Sequence, residues 1–120
     1  MKMLAIRGAT TVNNNSKEEI LKESAIMIQT LIQKNELNID DIVSMCFTMT
    51  SDLDSVYPSV AVRDILNITD VAMLNFEEKK IKGSLAKCIR VMMYINTSKD
   101  KKDIKHAYLN NASNLRVDLN

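Results

Sequence analysis

The stretch from Cys88 to Thr97 constrains this chain more than any other segment. Read at a period of two, Ile89, Val91, Met93 and Ile95 fall on one face, and Cys88, Arg90, Met92 and Tyr94 on the other. Apart from Arg90, this longest expected strand is apolar on both sides, so its sheet needs cover on both faces. Helical cover is scarce. Ser16, three residues before Glu19, has the spacing of a capping box, in which each side chain satisfies the other's orphan amide. Ile20, Ser24, Met27, Ile28 and Leu31 then recur at helical spacing down to about Asn35, a helix of roughly five turns. One such helix covers part of one face, and in a chain of 120 residues the economical cover for the other is a second copy of the chain.

The remaining elements complete an α/β (α+β) domain over residues 1–120, with no repeat and no linker. Met3–Arg7 reads as a short strand ended by Gly8, and Ile42–Met49 as a buried strand. A polar loop follows, and then a short helix to about Leu66 with Pro58 in its first turn, where a missing amide costs nothing. Val71–Glu77 is a third strand, Glu77–Ser84 a charged connection, Ile104–Leu109 a last strand, and an irregular tail runs from about residue 110. The expected architecture is a mixed five-stranded sheet with one long and one short helix.

Scarcity narrows the chemistry. Sixteen basic against fifteen acidic residues, with 4% aromatics, give neither a basic footprint nor a stacking platform for nucleic acid. No apolar run approaches the ~18 residues of a membrane span, and the N-terminal stretch is too short and too charged for a signal peptide. Cys46 and Cys88 are too few and wrongly spaced for a disulfide framework, so a reducing, cytoplasmic setting is expected. A single histidine, His106, excludes a multi-histidine zinc site, and two glycines exclude a phosphate cradle. Asp52 and Asp54 begin like a calcium loop, but Arg63 stands where its bidentate glutamate belongs.

The cations are distributed unevenly. Twelve lysines collect in solvated runs such as Lys79–Lys82 and Lys99–Lys105, and four residues are arginine. Three of these, Arg7, Arg63 and Arg90, sit among apolar neighbours. A guanidinium in a strand interior must meet an anion, and its fork matches a carboxylate bidentately. Either each arginine pairs with a structural Asp or Glu, or together they hold a small anionic ligand. No Ser–His or Cys–His pair accompanies them, so an enzymatic reaction here needs neither nucleophile nor metal.

The segments Ile6-Arg7-Gly8-Ala9-Thr10-Thr11-Val12, Tyr57-Pro58 with Ala61-Val62-Arg63, Lys87 through Met93, His106 with Tyr108-Leu109, and Leu115-Arg116 resemble the small monofunctional chorismate mutases of the trimeric, barrel-like class. The resemblance runs over nearly the whole chain. It implies rearrangement of chorismate to prephenate in phenylalanine and tyrosine biosynthesis, no cofactor, and a homotrimeric pseudo-α/β-barrel with pockets between subunits. It assigns Arg90 to the ether oxygen and a carboxylate, Arg7 with Tyr108 to the enolpyruvyl carboxylate, and Glu78 to the ring hydroxyl. Arg63 and Tyr57 would line the pocket, and Leu115 with Arg116 would close it from the tail. Asn75, Leu74, Tyr57 and Val60 depart from the family's cysteine, threonine, phenylalanine and lysine, with Asn75 still able to donate to the ring hydroxyl. Two other readings share the arginines: a non-catalytic trimeric sensor of a small carboxylate, and an enamine/imine deaminase of similar architecture. Glu78 discriminates, because a pure carboxylate binder has no use for an anion beside its cations.

Overall fold

The structure, a computed structural model, describes residues 1–114. Five strands, β1 (Lys2–Thr11), β2 (Ile42–Thr50), β3 (Ala72–Glu78), β4 (Cys88–Thr97) and β5 (Ala107–Tyr108), form one sheet in the order β3-β2-β4-β1-β5. The doubly apolar strand β4 takes the centre, antiparallel to both β1 and β2, while β3 and β5 add at the edges in parallel. A long helix, α1 (Lys17–Lys34), and a short one, α2 (Val60–Asp64), complete the expected mixed sheet with two helices.

Helix α1 buries Ile20, Ser24, Ala25, Met27, Ile28 and Leu31. Of these, Ile20, Met27, Ile28 and Leu31 pack with Leu4 and Ile6 of β1, Met45 and Phe47 of β2, and Ile89, Val91, Met93 and Ile95 of β4 in one apolar core. At the N-terminus of α1 only half of the expected capping box forms. Ser16 Oγ accepts the Glu19 amide at 3.2 Å, but the Glu19 carboxylate reaches past Ser16 to the amides of Asn13 and Asn14. The hydrogen bond from Asn13 holds that carboxyl below its ordinary pKa. At the other end Asn35, buried, donates to Leu31 O at 2.9 Å and exchanges two 2.8 Å bonds with the Lys105 backbone, stapling the approach to β5 onto the helix.

Several boundaries differ from the sequence reading. Strand β1 does not end at Gly8; it continues to Thr11, paired with β4 throughout. The glycine is there for close approach instead, since a Cβ would lie 3.0 Å from Leu31 Cδ1, 3.0 Å from Met27 Cγ and 3.1 Å from Val91 Cγ1. The last strand shrinks to two residues because the backbone before it bonds to Asn35 and not to a neighbouring strand. Pro58 lies in a turn that leads into α2, and residues 110–114 form a 3-10 turn where irregular chain was expected.

The sheet face away from α1 is covered at one end only. There Ala9, Tyr108 and Ala112 pack with Leu85. Elsewhere it is bare, with Leu74 60%, Phe76 49% and Met92 37% exposed.

Candidate active site

Strand parity puts the charged residues on this open face. Register aligns Phe76, Thr48, Arg90, Ala9 and Tyr108 across the five strands, and Leu74, Cys46, Met92 and Arg7 in the row beside them. Glu78, two residues beyond Phe76, projects from the same face of β3. A concavity of about 340 Å³ opens among Arg7, Cys46, Thr48, Glu78, Arg90 and Met92.

Its centre is an ion pair. Arg90 Nε lies 3.1 Å from Glu78 Oε1, with the two side chains 33% and 22% exposed. Nε is buried and the contact lacks the alignment of a hydrogen bond, so the attraction is coulombic and not directional. Thr48 Oγ1 donates to the same carboxylate oxygen at 2.6 Å and fixes Glu78 against β2. Cys88, two residues before Arg90 at the start of β4, has its thiol pKa raised by burial.

Arg7 is the second cation. Its backbone amide donates to His106 Nδ1 at 2.9 Å, so that ring nitrogen carries no proton, and the Lys34 ammonium donates to His106 O at 3.3 Å. The backbone of Arg7 is therefore held by the segment leading into Tyr108. Its guanidinium takes part in none of the ion pairs among the described residues. Of the two sequence explanations, an internal partner fits Arg90 through Glu78, whereas Arg7 has no carboxylate partner among the described residues.

The other residues singled out from the sequence lie apart. Arg63 is on the exposed end of α2, 3.0 Å from its neighbour Asp64. Asn75 points to the helix side of β3, where it donates to Ser59 Oγ at 2.8 Å and accepts the Ser59 amide. With Tyr57 and Val60 it lines a separate concavity of about 580 Å³. Leu74 projects from the open face at the sheet edge. One chain thus carries two partial pockets on opposite sides of β3. Leu115 and Arg116 lie outside the described residues. A larger hollow, about 680 Å³, lies beside the start of α1, where Glu18, Glu19 and Glu23 make it a poor place for an anion.

Thr48 and Cys46 were not singled out from the sequence. The signal was available: in β2, Cys46, Thr48 and Thr50 alternate with Met45, Phe47 and Met49, which marks a polar face opposite Arg90.

This arrangement coincides with a known family. Residues 3–119 match the family described as chorismate mutase type I. The chain belongs to the chorismate mutase type I family. It is 38% identical to chorismate mutase AroH of Bacillus subtilis (strain 168) over 119 residues, covering 99% of this chain and 94% of that one. Against chorismate mutase AroH of Thermus thermophilus it is 33% identical over 115 residues, covering 95% and 93%. Among solved structures, the chorismate mutase from Clostridium thermocellum Cth-682 superposes with a TM-score of 0.89 at 50% identity, covering 92% of this chain and 97% of that one. The family match spans both partial pockets and both arginine-bearing strands.

Proposed function

We propose that this chain is a chorismate mutase, an isomerase that converts chorismate to prephenate. It works as a homotrimer, with the Arg7–Arg90 concavity of one subunit facing the Tyr57–Asn75 concavity of the next. The observation that carries this reading is Arg7, a cation beside Arg90 with no carboxylate of its own among the described residues. The bare face with Leu74, Phe76 and Met92 supports the assembly, since one copy leaves it in water. The free thiols of Cys46 and Cys88 support a cytoplasmic location, and no described helix is long and apolar enough to cross a membrane.

The rearrangement is intramolecular: one C–O bond breaks while one C–C bond forms, and no proton moves. Charge separates on the way, negative on the ether oxygen and enolpyruvyl portion, positive on the ring. Arg90 supplies the fixed cation for the ether oxygen, and its contact with Glu78 holds it ready before substrate arrives. Arg7, with Tyr108 near it, binds the enolpyruvyl carboxylate and holds the folded conformer in which the ends meet. Glu78 accepts from the ring hydroxyl and faces the ring as it becomes electron-poor. Asn75, Tyr57, Leu74 and Arg63 come from the neighbouring subunit.

Purified protein mixed with chorismate should consume the substrate's absorbance far faster than the uncatalysed drift. Loss at the uncatalysed rate rejects the reading. Calorimetric binding without conversion would point to a carboxylate sensor, and hydrolysis of an enamine to the deaminase alternative.

A further inference from the structure

The end of the sheet beside Glu78 holds a polar node that the catalytic reading leaves unused. Thr50, the last residue of β2, pairs in register with Glu78. Its hydroxyl donates to Asp52 Oδ1 and accepts the Cys88 amide at 3.0 Å. The two Asp52 carboxylate oxygens accept the Lys87 amide at 3.2 and 3.0 Å. Lys87 has φ of 47°, in the left-handed region that a side chain disfavours, so it needs such an anchor to stay there. Directly after it the chain enters β4 and reaches Arg90 three residues later. Arg90 Nε meets Glu78 Oε1 at 3.1 Å without an aligned hydrogen bond, so that ion pair and the strand that carries Arg90 together set where its guanidinium stands.

We infer that Asp52 is a positioning residue for the rearrangement, clamping the entry to β4 through Lys87 and Thr50 so that Arg90 stands at a fixed place opposite the breaking C–O bond. This rests on the chorismate mutase reading and deepens it. Asp52 touches no substrate. It acts through the backbone at Lys87 and Cys88 and through the strand end that pairs with Glu78. A cation misplaced by a fraction of an ångström stabilises the developing charge less, while the initial capture of substrate carboxylates by Arg7 is little changed.

The test is steady-state kinetics with chorismate on the full chain and on Asp52→Ala, each in the wild-type and Arg90→Ala backgrounds, with melting curves alongside. Asp52→Ala should lower kcat about 10- to 100-fold while KM changes by about threefold or less. In the Arg90→Ala background the same change should cost under about twofold, because the residue it positions is gone. If the alanine variant does not fold, Thr50→Val removes the hydroxyl bridging Asp52 and Cys88, and the same pattern is expected of it. An unaltered kcat, or an equal loss in both backgrounds, overturns the inference while leaving the mutase reading intact. A wild-type chain that leaves chorismate unconverted overturns both.

Discussion

Truncating Arg90 to alanine tests the electrostatic account where it is most exposed to failure. The guanidinium is partly withdrawn from water, at 33% exposure, and faces Glu78 at 3.1 Å, so it acts in a medium where charge is screened less than at a free surface. Removing one preorganised donor from a developing oxyanion costs about 3 kcal/mol in comparable sites. Here the loss leaves Glu78 in place, still held by Thr48 at 2.6 Å, so an uncompensated anion remains close to the oxygen that becomes negative. The two effects act in the same direction and set about 3 kcal/mol as a lower bound, or roughly a 200-fold loss in kcat/KM at 1.36 kcal/mol per tenfold. Arg90→Lys should recover little of it, because an ammonium is a point charge without the planar fork. The assay is chorismate loss at saturating and at low substrate, with melting curves to confirm folding. Activity within tenfold of wild type in folded Arg90→Ala would refute the role given to this residue.

Other consequences follow from the fold. Gly8→Ala puts a methyl group 3.0 Å from both Leu31 and Met27 side chains, and overpacking of this kind should cost about 1–3 kcal/mol in urea unfolding. Asn35→Ala strips the partners from the Lys105 amide and carbonyl and should destabilise by a similar ~1–3 kcal/mol, with raised KM because the segment that holds the Arg7 amide loosens. Burial alone would raise the Asp52 carboxyl, but hydrogen bonds from Thr50 and Lys87 leave it below its ordinary 3.8. A lowered pKa in the folded state gives stability that is complete above 3.8 and lost as pH falls through the folded value. Asp52→Asn should therefore lower the melting temperature most near neutrality, with the gap to wild type closing as pH falls through the folded value.

The parts of this fold written in side-chain periodicity were legible in the sequence. The alternation in Cys88–Thr97 marked β4 as a long strand with two apolar faces, and the spacing of Ile20 through Leu31 marked the buried side of α1. Boundaries set by long-range partners were not. Gly8 reads as a break in isolation, yet it serves a helix packed across it, and the last strand is trimmed by Asn35 from 70 residues away. The candidate site shows the same division. Arg90 and Arg7 stood out because cations in apolar strands need anions. Strand parity then brought them to one face with Glu78 and Tyr108. Asn75 and Arg63 turn away from that face in the single chain, and strand parity does not bring them to it. The Thr50–Asp52 node was hidden because Asp52 looks like an ordinary loop carboxylate until its partners at Lys87, 35 residues on, are seen.

The most direct test of the account is a crystal structure of the protein with a bicyclic diacid that mimics the rearranging geometry of chorismate. The account predicts the inhibitor in the Arg7–Arg90 concavity, with the Arg90 guanidinium on its bridging oxygen, Arg7 on a carboxylate, and Tyr57 from an adjacent copy against it. An inhibitor lodged elsewhere, or an Arg90 still turned wholly to Glu78 with the bridging oxygen unbonded, would contradict it.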